Sequence, residues 1–106
     1  MMEEEFWRNW KNITKIEERA IKSIKKAKRI LFEEISKEKI YSIYVKGSFV
    51  RREMNNKSDV DIVPITYDNK TLRKIKKLQE KKGNMYKPSE FLPNSLKEFE
   101  QNKKIP

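Results

Sequence analysis

Two aspartates stand one residue apart in Asp59-Val60-Asp61-Ile62, inside a run rich in β-branched residues. On an extended strand, side chains two apart point to the same face, so both carboxylates project together. Like charges that close repel each other unless a cation lies between them. The chain has no His and no Cys, which removes imidazole bases, Ser-His-Asp triads, thiolate ligands and ordinary zinc sites. A metal bound here is therefore a hard cation on oxygen ligands. Mg²⁺, held by one or two carboxylates plus substrate phosphates, suits the pair. Alone the pair is not diagnostic, because an Asp-x-Asp at a strand end can simply face water.

Gly47-Ser48 is the second feature, placed after the strand-like run Ile40–Lys46 and before Phe49, Val50 and Arg51. Glycine lets backbone approach a phosphate with no Cβ in the way. The serine offers a hydroxyl, and free N–H groups of a turn can cradle an anion. Gly-Ser turns are common, so this signal is also weak by itself. If the two strands are neighbours, the clamp and the carboxylates share one sheet edge, and a triphosphate and a metal share one site.

The elements that must position these residues follow from periodicity. Phe6, Trp10, Ile13, Ile16, Ala20, Ile24, Ala27 and Leu31 recur at spacings of three and four, predicting one long helix from Phe6 to Ile35. Lys15, Arg19, Lys22, Lys26 and Arg29 fall on another face, read as solvated. Ile40–Lys46 alternates as a strand, a short helical turn follows Gly47-Ser48, and Asn55 to Ser58 form a polar loop. Asp59–Thr66 is a second strand, with Pro64 marking its end or an edge position. Asp68 or Asn69 caps a helix over 70–82 that Gly83 stops. Met85–Phe91 is a third strand and Ser95–Gln101 a last helix. The expected fold is α/β (α+β): a small mixed sheet flanked by helices, as one domain over residues 1–106.

Charged residues make up 40% of the chain, and 26 Lys and Arg against 16 Asp and Glu leave a formal charge of +10. That excess favours anionic partners or marks a solvated surface. The opening Met-Met-Glu-Glu-Glu, with no long apolar run after it, predicts neither signal peptide nor membrane span, and hence a cytoplasmic protein.

The combination over Ile40–Ile65, Gly-Ser followed by ten residues and Asp-Val-Asp, resembles the nucleotidyltransferase superfamily that includes DNA polymerase beta. The spacing is similar to that of minimal nucleotidyltransferases, many of which read Gly-Ser-x-x-Arg-Gly-Glu between the strands. Arg51, Glu53 and Ser58 match, and Arg52 stands where that pattern has glycine. The resemblance implies a polymerase beta palm-like fold and transfer of a nucleoside monophosphate, such as AMP from ATP, to a hydroxyl. Asp59 and Asp61 would hold one or two Mg²⁺, and Gly47, Ser48, Arg51, Arg52 and Ser58 would bind nucleotide and phosphate. A third carboxylate is implied on a later strand, where Glu90 is the sole acid; Glu53 and Asp68 fall on loops. Family members of this kind include antitoxins of HEPN-type ribonuclease toxins, so such a toxin is one implied partner. Two other readings stand beside it: a catalytically weak module that binds nucleotide or a protein partner, and a basic nucleic-acid-binding protein using lysines of the helices.

Overall fold

A computed structural model describes the backbone of residues 5–104 and the side chains of 5–101. The long helix is α1, Lys15–Glu34. Thr14 caps it: its side chain accepts from the Glu17 N–H, while the Glu17 carboxylate accepts from the Thr14 N–H. This reciprocal box satisfies two of the orphan donors of the first turn. Ala20, Ile24, Ala27 and Leu31 are buried along one stripe, while Lys15, Arg19, Lys22, Lys26 and Arg29 are exposed.

The expected helix from Phe6 is corrected here. Phe6–Asn9 is a separate 3₁₀ turn, and the chain then runs through an extended Trp10 and a left-handed Asn12 (φ 54°) before the Thr14 cap. A continuous helix would carry Phe6, Trp7 and Trp10 along the α1 axis. The break instead folds all three rings against Phe49, at centroid distances of 5.8, 5.8 and 5.1 Å.

Strand β1 is Ile40–Lys46 and β2 is Val60–Thr66, paired antiparallel, with a register irregularity between Ile40 and Ser42. Helix α2, Asn69–Lys82, is capped by Asp68, whose side chain accepts from Thr71 N–H at 2.7 Å. Strand β3, Ser89–Phe91, returns parallel to β2, and β4, Asn94–Ser95, also pairs parallel with β2 further along. Helix α3, Leu96–Lys104, ends the described chain. The four-stranded sheet is therefore mixed, with β2 at its centre. Buried residues of α1 and α2 share one cluster with Val60, Ile62 and Phe91, so both helices cover one face, while Phe99 of α3 meets Tyr44 on the other.

Pro64 lies at neither the end nor the edge expected of it. It is buried within the central strand. Val60 N–H and Ile62 C=O bond on the β3 side, and backbone groups alternate sides along a strand, so Pro64 faces the gap where β3 gives way to β4. The missing N–H costs no ladder bond there. Gly83 caps α2 where expected, although its backbone is right-handed and the chain continues as a 3₁₀ turn to Tyr86. A Cβ at Gly83 would meet the Gln79 amide at 2.4 Å. That amide oxygen accepts from Tyr86 OH and from Phe91 N–H. The expected strand Met85–Phe91 is shortened accordingly to its last three residues.

One buried polar contact fixes β3 to α1. Ser23 Oγ donates to the Ala20 carbonyl at 2.7 Å and lies 2.6 Å from Ser89 Oγ, so Ser89 is the donor of the pair. Replacing Ser23 by alanine leaves a buried hydroxyl unmatched, at a cost of about 1–3 kcal/mol, whereas removing both hydroxyls is close to neutral. Urea unfolding of Ser23→Ala and of the Ser23→Ala/Ser89→Ala pair is expected to show a clear loss in the first and partial or full recovery in the second.

Candidate functional site

Alternation along β2 decides where its acids go. Val60 and Ile62 are fully buried in the helix-covered core, so Asp61, between them, points to the other face, and Asp59 precedes the strand with the same phase. The register places Asp61 opposite Lys46 of β1 and opposite Glu90 of β3. Directly opposed residues share a face, so a cation and two carboxylates form a row across three strands. The same alternation in β3 buries Ser89 and Phe91 and turns Glu90 outward.

The carboxylates feel one another. Glu90 is held above the ordinary carboxylate range, first by burial, then by its hydrogen bond with Asp61 and by the negative charges of Asp59 and Asp61. A proton on Glu90 relieves this crowding, and so would a cation. All three donors are hard carboxylate oxygens, the set that Mg²⁺ takes. Among the described residues, however, no group of three or more acidic side chains is gathered closely enough to hold an ion by itself.

The Gly47-Ser48 bend lies against this row. A Cβ on Gly47 would sit 3.6 Å from Asp61 Oδ2. That is ordinary contact, so space does not demand a glycine; the backbone does, with φ at 100°. The turn closes through Val50 N–H to Gly47 C=O (3.2 Å), Arg52 N–H to Phe49 C=O (3.0 Å) and Glu53 N–H to Ser48 C=O (2.8 Å). Among the described residues no protein acceptor pairs with the N–H groups of Ser48 and Phe49 or with the Ser48 hydroxyl. Donors without partners beside a glycine bend are suited to an anion.

The other sequence-selected residues each have a protein partner. Arg51 Nε donates to Glu53 at 2.6 Å, and both side chains are largely exposed. Ser58 Oγ accepts from Asn55 N–H at 3.0 Å, closing the loop that delivers Asp59 to the strand. Arg52 donates through Nε and Nη2 to the two oxygens of Glu17, each at 2.8 Å, and its guanidinium stacks 4.5 Å over Trp10. Glu17 is nearly buried, and this contact, ahead of the opposing effect of burial, lowers its pKa to about 2. Arg52 has a φ of 57°, a left-handed conformation costing a non-glycine residue about 1–2 kcal/mol. The glycine of the resembled pattern at this position thus has a conformational reason, and the arginine here is held by its partners instead.

The structure therefore brings Gly47, Asp59, Asp61 and Glu90 together, with Ser48 next along the turn, and pairs Arg52 with Glu17. Glu17 and Trp10 were missed by sequence reasoning. Thr14-Lys15-Ile16-Glu17 carries a legible capping signature, but nothing local pairs Glu17 with a residue 35 positions on. A cavity of about 220 Å³ adjoins Asp59, lined also by Arg19, Lys57, Lys87 and Pro88.

Comparison with known proteins adds one finding. The model of a family described as nucleotidyltransferase domain matches residues 24–105. No curated protein and no solved structure gives a significant match.

Since Glu90 has a folded pKa above its unfolded value, its ionisation disfavours the fold as pH rises from about 4.5 through the raised value. In metal-free buffer Glu90→Gln is expected to melt higher than wild type at pH 7, with the gap closing below pH 4.5, where both states of the wild type bind the proton. Equal melting temperatures across that range would show that the three acids do not crowd one another.

Proposed function

The chain belongs to the nucleotidyltransferase domain family, and on that premise we propose that it is a divalent-metal-dependent nucleotidyltransferase with its site at the edge formed by Gly47, Ser48, Asp59, Asp61 and Glu90. One observation carries the reading: Asp61 lies between Glu90, its register partner, and Gly47, whose Cα backs onto the Asp61 carboxylate. Acid and turn, selected separately from the sequence, meet at one place.

Asp59 and Asp61 are the residues that would hold Mg²⁺, with Glu90 beside them. When bound, the metal supplies charge neutralisation at the phosphates undergoing transfer. The chain's own groups do the rest. The unpaired amides of the 47–49 bend and the Ser48 hydroxyl bind the non-transferred phosphates and orient the triphosphate, which fixes the reacting phosphorus against the acids. Glu90, with its affinity for a proton raised, is the group suited to take the proton from the attacking hydroxyl. Lys46, opposite Asp61, adds a positive charge on the same face. The finer parts of the reading, AMP from ATP as the group moved and a hydroxyl of a HEPN-type toxin as acceptor, rest on the resemblance of the Gly-Ser to Asp-x-Asp pattern. No helix among the described residues is long and apolar enough to cross a membrane.

A second reading, a nucleotide-binding module with little turnover, is favoured by the absence among the described residues of a closed three-acid group. The two separate cleanly. Mg²⁺ with ATP is expected to raise the melting temperature of the wild type, by the equivalent of about 2.7 kcal/mol at a hundredfold excess over Kd. Chelation of the metal, Asp59→Asn or Asp61→Asn removes the effect. Glu90→Gln keeps the shift but slows transfer of label from α-labelled ATP by about 10²–10⁴-fold. No stabilisation by any magnesium nucleoside triphosphate sinks the proposal; stabilisation without transfer under any acceptor tried selects the second reading.

A further inference from the structure

The turn that faces Asp61 is fastened from outside the matched domain. Its C-terminal arm ends at Arg52, in a backbone conformation that arginine does not adopt by preference (φ 57°). The side chain is held at three places: both oxygens of Glu17 at 2.8 Å, the Trp10 ring at 4.5 Å, and the Asn12 carbonyl at 3.4 Å. Two parallel N–H···O bonds to one carboxylate fix the plane of the guanidinium as well as its distance. The other arm is held just as firmly. Phe49, the residue after Ser48, is fully buried against Phe6, Trp7 and Trp10. Neighbouring residues of the turn therefore have different surroundings, Gly47 beside the Asp61 carboxylate and Phe49 in the ring cluster. Every partner in this fastening lies between Phe6 and Glu17, whereas the family match begins at residue 24.

We propose that Arg52 is a positioning residue: through Glu17 and Trp10 it locks the phosphate-binding turn over residues 47–53 in its binding geometry, so that a segment preceding the family domain is part of the active site's support. The inference rests on the reading of that turn as the triphosphate site. The charge of Arg52 is matched by Glu17, whose carboxylate is buried while the guanidinium stays about one third exposed. Its contribution is geometric. The Glu53 N–H reaches back to the Ser48 carbonyl across the left-handed Arg52, so that closing bond depends on the Arg52 conformation, and Glu17 is itself immobilised by the capping box at the start of α1. Where the resembled pattern carries glycine, the conformation is freely available but so are others; here the tether removes the others.

The test compares the wild-type chain with Arg52→Ala, Arg52→Gly, Glu17→Gln and a core control on α2, Ile75→Val. Glu17→Gln keeps the capping acceptor while removing the charge. Two quantities are read below the melting temperature: amide hydrogen exchange at Val50 and Glu53 relative to Tyr44 and Ile62, and the Kd for magnesium ATP. Arg52→Ala, Arg52→Gly and Glu17→Gln are expected to speed exchange at Val50 and Glu53 by tenfold or more, with β1 and β2 little changed, and to weaken magnesium ATP by about tenfold. Ile75→Val lowers the melting temperature without moving the exchange ratio or the Kd. An Arg52→Gly protein that matches wild type in both readouts overturns the proposal, since the backbone conformation alone then suffices. If wild type binds magnesium ATP while exchange and Kd are unchanged in Arg52→Ala, the tether is wrong and the nucleotidyltransferase reading stands. If the turn loosens as expected but no magnesium triphosphate binds the wild type, the reading of the site fails and the tether as a binding device fails with it.

Discussion

The arrangement depends on β2 being paired on both sides. Both faces of β2 are covered along Ile62–Thr66, but at its start only one is, so a slip of one residue would bury Asp59 and Asp61 and expose Val60 and Ile62. Val60 and Ile62 hold that phase by packing beneath α1 and α2. Pairing on both edges then fixes what stands beside Asp61: Lys46 on one side and Glu90 on the other. Neither neighbour is free to drift, because β1 leads directly into the Gly47 bend and β3 is pinned to α1 through Ser89 and Ser23.

This rigidity concentrates like charge. Glu90 has a raised affinity for a proton, first because it is partly buried and then because Asp61 and Asp59 stand beside it. A fold selected only for stability would place a neutral or basic residue at that position. Perturbed carboxylates held by a well-packed surround recur at functional sites, and in the proposed reading a cation relieves them. The compensation is visible in the same molecule: hard packing of Ile24, Leu31, Ile43, Ile62 and Ile75, each fully buried, and a capped start to both α1 and α2.

A second strained position is handled by another device. Gly47 meets its left-handed conformation by having no side chain, whereas Arg52 meets one with a side chain held by partners. Glu17 serves twice, closing the N-terminal turn of α1 and anchoring Arg52. Its lowered pKa, about 2, means that this contribution is complete above the unfolded value near 4.5 and is lost only as pH falls toward 2. The anchor and the candidate site therefore respond to pH in opposite senses, the anchor weakening only in acid and the Glu90 cluster becoming less crowded there.

Features encoded within a few residues were legible in the sequence alone. The alternation of Ile40–Lys46 and of Val60–Ile62, the buried stripe of α1, the Asp68 cap, the Gly-Ser bend and the same-face aspartates each follow from local periodicity or turn chemistry. Together they indicated the mixed sheet and the family. What tertiary structure decided lies across long separations. Glu90 reaches Asp61 only through the parallel register of β2 and β3, and Arg52 reaches Glu17 across 35 positions. The break between Phe6 and Lys15 exists because three aromatic rings gain more by surrounding Phe49 than by continuing a helix. Pro64 could occupy a central strand because the neighbouring strand changes beside it. In each case the local pattern allowed more than one outcome, and burial or charge pairing with a distant residue selected among them, which no window of neighbouring residues contains.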